Sequence, residues 1–243
     1  MTNKHVLLNN IDHQNIKIIT DRSARYGDDV SFVMTFPLEF RRIQSCYPIF
    51  FRKDANTGQF SPIALFGFEP RENLYLSDDG WDAQYVPLMI QRQPFLIGLQ
   101  RVEGEGDTTK PVVSIDINSP RVNESEGEAL FLEHGGTSDY LASMTELLET
   151  IRLADEMNVD FVDALLKLDL IEAVTMQVEL KDGSKHEMLG YYTINEEKLD
   201  ALDNETLGEL HSHHYLDSIY MLLASLSCFR TLVEKKNDQL STQ

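Results

Sequence analysis

The sequence predicts an α+β fold, with a mostly antiparallel sheet in its first half and helices plus a second hairpin in its second. Three observations carry that expectation. Alternating apolar runs of strand length recur through residues 31–138. From Asp139 the spacing of apolar residues changes from two to about 3.6. Residues 173–194 then return to alternation around Asp182-Gly183, a pair that favours the left-handed backbone of a tight turn. The expected organisation is a single domain over residues 1–243: a polar segment at 1–30, a mainly β part at 31–138, and a mainly α part at 139–243 that contains the hairpin 173–194.

Taken in order, residues 1–30 are rich in Asn and Asp, and one alternating run, Ile16 to Ile19, is expected as an edge strand. In VSFVMTFPLEF, Pro37 marks a strand end or bend, because proline has no amide to give to a ladder. YPIFFRK and QFSPIALFGFE, separated by DANTG, read as a β-hairpin. PFLIGLQRV and PVVSIDI are two further strands around the polar EGEGDTTK. Across 103–139, Glu103, Glu105, Asp107, Asp116, Glu124, Glu126, Glu128, Glu133 and Asp139 face only Lys110 and Arg121, a stretch expected as solvated loop around a short strand. Leu141, Met144, Leu148 and Ile151 share one helical face, and Phe161, Leu165 and Leu168 extend the stripe beyond an expected bend near Asn158. Thr137 and Ser138 suit the N-cap, since a hydroxyl accepts from the first free amides. Asn195 is expected to start a short helix through EEKLDAL, and Asn204 to cap another. The last helix places Leu222, Leu226, Phe229 and Val233 three and four apart, after Tyr215, Leu216 and Ile219, and is expected to be largely buried.

Composition excludes several functions. Hydrophobic residues make up 42% and charged residues 25%, ordinary for a globular chain, but the net charge is -19. Such a field repels nucleic-acid phosphates and anionic lipid. The one basic grouping, Arg41-Arg42 with Arg52-Lys53, is short and interrupted, so no nucleic-acid partner is expected. MTNKHVLLNN carries an apolar run too short for a signal peptide, and no segment approaches the roughly 18 apolar residues of a bilayer span. The expectation is a cytoplasmic protein without a transmembrane segment, with signal-independent export to the cell surface as the alternative. Cys46 and Cys228 lie far apart with no C-x-x-C, so they indicate neither a disulfide framework nor a zinc site and read as small core residues.

Motifs for chemistry are sparse. His211, His213 and His214 in ELHSHHYLD, with Asp217, are metal-ligand types, but their spacing misses H-E-x-x-H and histidines so close project in different directions from a helix. A polar helix start explains them better. No histidine is followed two places later by a carboxylate, as a local two-His-one-carboxylate iron site would have it. DANTGQ from Asp54 begins like a calcium loop but has Gln59 where that loop needs glycine and Leu65 where it needs glutamate. There is no nucleophile elbow, P-loop or dinucleotide fingerprint, and Gly104 to Gly106 lack a strand-to-helix setting. No catalytic residue, metal or cofactor is assigned.

One stretch, ENLYLSDDGWDAQYVP, holds the only tryptophan among aspartates and tyrosines. It admits two readings. In the first, Leu74, Leu76 and Trp81 bury against the sheet while Asp78 and Asp82 pin the turn. In the second, Tyr75, Trp81 and Tyr85 form a ligand-facing rim with Asp78 and Asp82, and His211 is gathered from elsewhere. These six are the candidate ligand-binding residues.

The run YPIFFRKDANTGQFSPIALFGFEPRENLYLSDDGWDAQYVPLMIQRQPF, together with YYTINEEKLDALDNETLGELHSHHYLDSIYMLLASL, resembles the SapC family of bacterial proteins over nearly the whole chain. The first block is the more specific, combining a hairpin, E-N-L, D-x-G-W-D and Y-V-P in one order. His213-His214 stands where the family pattern implies a small residue or glycine, which argues against a shared metal role. The resemblance implies a link to surface layers, from which the family takes its label, and proximity to genes for halogenase-like proteins, cupin-like oxygenases and TonB-dependent receptors. A permease role, sometimes attached to such chains, conflicts with the expected lack of spans. The expected function is a non-catalytic binding or accessory protein, with an unknown protein partner or small ligand, in surface-layer or nutrient-uptake physiology. The alternative is an enzyme, or an enzyme's partner, acting on a modified amino acid or peptide alongside halogenase-like or cupin-like oxygenase systems. The sequence leaves the oligomeric state open.

Overall fold

The computed structural model describes residues 3–101, 104 and 108–241. Glu103, Glu105, Gly106 and Asp107 of the stretches considered above lie outside the described residues. The fold is α+β. In chain order the strands are β1 (His5–Leu7), β2 (Lys17–Ile18), β3 (Phe32–Met34), β4 (Ile49–Lys53), β5 (Phe60–Leu65), β6 (Leu76–Ser77), β7 (Gly80–Trp81), β8 (Phe95–Arg101), β9 (Thr109–Asp116), β10 (Val122–Asn123), β11 (Glu128–Ala129), β12 (Ile171–Glu179) and β13 (Lys185–Ile194). The helices are α1 (Phe40–Ile43), α2 (Leu88–Gln91), α3 (Asp139–Lys167), α4 (Glu196–Asp200), α5 (Asn204–Ser212), α6 (Tyr215–Ser225) and α7 (Cys228–Ser241). Two compact units result, Met1–Asp28 with Leu88–Leu153, and Asp29–Pro87 with Ala154–Gln243. Each unit draws on both halves of the sequence, and α3 contributes to both.

In the first unit, β1, β9 and β8 form one antiparallel sheet, in that order, and β10, β2 and β11 another. The run around Ile18 is therefore a middle strand and not the expected edge: Val122-Asn123 pairs along one side of it and Glu128-Ala129 along the other. Pairing on both sides satisfies its amides and carbonyls while Ile16 and Ile18 enter the core. Gly127 makes the return possible. At φ 104° it adopts a left-handed backbone, and a Cβ there would stand 2.4 Å from the Ile18 carbonyl oxygen. Phe95, Ile115, Leu130, Leu141 and Leu148 complete the core. Ser138 caps α3 as expected, its hydroxyl accepting from the Leu141 amide at 3.1 Å.

The acidic stretch hides a buried cation. Arg121, expected in solvated loop, is 1% exposed and donates from Nη2 to Oδ2 of Asp28, itself 0% exposed, at 2.6 Å. Its Nη1 donates to the carbonyls of Ile19 and Asp21 at 3.0 and 2.7 Å. Arg22 approaches the other Asp28 oxygen at 3.5 Å. Burial, then repulsion by Arg121, lowers the Arg22 pKa.

The second unit is built on a five-stranded antiparallel sheet in the order β12-β13-β4-β5-β3. The two expected hairpins are both present, with Gly58 and Gly183 supplying the positive φ of their turns. Tyr191 pairs with Arg52 and Tyr192 with Phe51, so hairpins from the two halves of the chain meet in one sheet. At the first turn, Asp54 Oδ1 accepts from the amides of Asn56 and Thr57 at 2.8 Å each. Those bonds hold its pKa below the usual range and explain DANTG as turn chemistry.

Three helical details differ from expectation. The helix α3 runs unbroken through Asn158, which is buried. The cap of α5 is Asp203, whose carboxylate accepts from the Thr206 amide at 2.8 Å, while Asn204 is already the first helical residue. Asp203→Ala is expected to lower stability by about 1 kcal/mol and Asn204→Ala by much less. Urea midpoints in the opposite order would return the cap to Asn204. Finally, the last helix is two, separated at Leu226-Ser227, and its burial is one-sided: Ile219, Leu222 and Leu232 are fully buried but Leu226, Phe229 and Val233 only partly. By length and composition the helical run Tyr215–Ser241 is apolar enough to cross a membrane, a property that core helices of soluble proteins share.

Candidate functional site

The loop from Asn73 to Tyr85 is organised by a residue outside it. Tyr47, buried just before β4, donates its hydroxyl to the Tyr85 carbonyl and accepts from the Trp81 indole Nε1 at 2.7 Å. Its ring makes edge contacts with Phe66, Tyr75 and Trp81 at centroid distances of 5.1, 4.7 and 6.4 Å. Tyr75 is buried and donates to the Cys46 carbonyl at 2.9 Å. Tyr85 donates to Glu39 Oε2 at 2.9 Å, and Thr35 donates to Oε1 of the same buried carboxylate at 2.7 Å. Burial pushes the phenol pKa values of Tyr47, Tyr75 and Tyr85 well up, with the Glu39 charge adding to the shift at Tyr85. All three therefore stay neutral near pH 7 and act as hydrogen-bond donors with partners inside the protein.

Of the six sequence candidates, four gather here. Tyr75, Trp81 and Tyr85 join through Tyr47, and Asp82 donates its amide to the Tyr75 carbonyl at 2.7 Å while its carboxylate pairs with Lys235. The Lys235 ammonium also stands 5.1 Å over the Tyr75 ring. Leu74 is buried and Leu76 half-buried. Asp78 is exposed at the tip between β6 and β7, where Gly80 at φ 109° makes the reversal and the Ser77 hydroxyl donates to the Gly80 carbonyl. His211 is exposed on α5, in a different element from the other five. Cys46 and Cys228 are free thiols, partly exposed where core positions were expected. The Cys228 thiol is turned to the Gln44 carbonyl at 3.3 Å.

The second unit also has an opening elsewhere. A cleft of about 710 Å³ is bounded by α3, α5 and the start of α6. Leu210, Ala164 and Leu168 make its floor apolar, while Asp160, Asp163 and Glu209 face it against the single cation Lys167. Among the described residues none of these four charges is held in an ion pair. His213 stacks on Tyr215 at 5.4 Å and 20°, and Tyr215 packs on fully buried Phe161 at 5.5 Å. The aromatic wall is therefore anchored in the core. Burial, then the Asp160 charge, raises the Tyr215 pKa.

A profile of one protein family, SapC, matches residues 8–232. The chain belongs to the SapC family. No curated protein and no solved structure matches it. Within this SapC chain, His214 takes φ 60°, a left-handed backbone that joins α5 to α6. Glycine adopts that conformation without penalty, whereas a side chain there is uncommon. Among the described residues no three His, Cys, Asp or Glu side chains are grouped to hold a metal ion. The sequence reading of this SapC protein missed Tyr47 and the carboxylates of the cleft. Asp160, Asp163 and Lys167 recur at three and four on the polar face of α3, a periodic signal that a search for the apolar stripe passes over.

Proposed function

We propose that this SapC protein is a non-catalytic accessory protein that holds a basic segment of a protein partner in the cleft between α3, α5 and α6. One observation supports the reading above others: an apolar and aromatic floor lies beneath three carboxylates, with only Lys167 in opposition. A lysine or arginine side chain has the matching form, an aliphatic stem that covers apolar surface and a charged head that reaches the rim. The volume, about 710 Å³, lies within the range of roughly 300–1,000 Å³ common for ligand sites. The aromatic loop around Trp81 has a supporting role in this reading, since its hydroxyls and indole nitrogen already have internal partners. The family link supports a role beside surface-layer or nutrient-uptake systems.

A photo-reactive residue at Thr206, which lines the cleft, is expected to cross-link one partner in cells. The cross-linked peptide should be basic. Its synthetic counterpart should bind more weakly as salt rises, and about tenfold more weakly to the variant Asp160→Asn, Asp163→Asn, Glu209→Gln. An acidic or apolar cross-linked segment, or unchanged affinity in the triple variant, would remove the proposal.

A further inference from the structure

The first unit carries a different opening, a cleft of about 420 Å³ whose walls include Arg92, Pro94, Leu96, Asp116, Pro120 and Tyr26. Its two opposite charges line the same space, yet among the described residues they form no ion pair with each other or with any other group. The Arg92 guanidinium makes one hydrogen bond, from Nη1 to the Phe95 carbonyl at 2.7 Å, which leaves its other donors without a partner among the described residues. Burial lowers its pKa. Asp116 has one oxygen engaged, Oδ1 accepting from the amides of Lys4 and Asn118 at 2.8 and 3.2 Å, and its Oδ2 has no partner among the described residues.

Asp116 ends β9, and its amide donates to the Pro94 carbonyl at 3.1 Å, two residues after Arg92 in the adjoining segment. The Tyr26 wall is fixed from behind by the buried Arg121, whose guanidinium lies 5.6 Å from the ring centre. Tyr26, Pro94, Leu96 and Pro120 line the same cleft and present apolar surface. A ligand that satisfies this cleft needs a carboxylate for the guanidinium fork, a protonated amine for Asp116 and an apolar side chain.

We propose that the cleft is a binding site for a free α-amino acid with an apolar side chain. Arg92 receives the carboxylate through its unused donors, as planar guanidinium groups do. Asp116 Oδ2 accepts from the ammonium. The site is separate in residues and in ligand chemistry from the acidic cleft of the second unit.

The test is calorimetric titration of the intact protein with L-phenylalanine and L-leucine, then with N-acetyl-L-phenylalanine, which lacks the ammonium, and L-phenylalaninamide, which lacks the carboxylate. Both amino acids are expected to bind, and each blocked form to bind at least about tenfold more weakly, since a hydrogen-bonded charge is lost in each. Arg92→Gln should erase the difference between the acid and its amide, and Asp116→Asn the difference between the free and acetylated amine. The blocked-ligand series is read on the native sequence, so it decides the matter even if a variant fails to fold. No heat from either amino acid at millimolar concentration, or a blocked form that binds as well as its parent, overturns the proposal.

Discussion

Arg121→Ala is expected to destabilise the first unit by about 3–5 kcal/mol, the penalty typical of removing one partner from a buried ion pair. Asp28 is fully buried, so its charge cannot recover water when the guanidinium leaves. The Ser23 amide still donates to Asp28 Oδ2 at 2.8 Å, but the nearby cation is then Arg22 at 3.5 Å, a contact without the short geometry of the 2.6 Å bond to Arg121. The carbonyls of Ile19 and Asp21 lose their donor in the same substitution. Removing both charges should be milder than removing one, and Arg121→Met with Asp28→Leu is expected to unfold later in urea than Arg121→Ala alone. Because the only tryptophan belongs to the second unit, the loss is best read in the first unit by hydrogen exchange at the Ile19 amide, which donates to the Arg121 carbonyl at 2.9 Å. A loss below about 1 kcal/mol would mean that the pair is not buried as described.

The same residue shows where sequence reading stops. Local signals carried the fold well: alternation located β4, β5, β8, β9, β12 and β13, and the change to helical spacing located α3 to within a residue. Those signals are properties of neighbours in the chain. Arg121 sits in a run of acids, and local charge patterning assigns such a run to solvent. Its burial depends on Asp28, 93 positions earlier, and no period in the sequence expresses that pairing. The short strand β2 was visible through Ile16 and Ile18, but its place between β10 and β11 depends on two segments more than 100 residues away. At the aromatic loop, residue types pointed to Trp81, Tyr75 and Tyr85, which the structure brings together around Tyr47. The organiser, Tyr47, was hidden because Y-P before an apolar run reads simply as a strand entry. For the clefts, a carboxylate on a helix's polar face looks like any solvated charge until the packing of α5 and α6 shows what it faces.

Trp81→Ala and Tyr47→Phe separate the two readings of the aromatic loop. If the indole pins the loop, Trp81→Ala should lower the stability of the second unit by roughly 3 kcal/mol, near the range for loss of a large aromatic side chain. Tyr47→Phe removes a single oxygen yet leaves both the Trp81 Nε1 donor and the Tyr85 carbonyl without their partner, at about 1–3 kcal/mol. The two losses should fall short of additive in a double-mutant cycle, by about 0.5–3 kcal/mol, because they share one hydrogen bond. Alkali gives an independent check. Burial raises the Tyr47 phenol above its ordinary pKa of 10.0, so the folded state holds its proton where the unfolded chain has released it. Stability is then complete below about pH 10 and declines as pH climbs beyond it, and Tyr47→Phe should make that decline shallower. The ligand-rim reading makes the opposite forecast for the indole: Trp81→Ala would leave the denaturation midpoint in place and abolish binding of the cross-linked basic peptide. A variant that is less stable but binds that peptide with native affinity assigns Trp81 to the architecture that holds Glu39, Tyr47 and Tyr85 in register, and the recognition surface to the helices of the cleft.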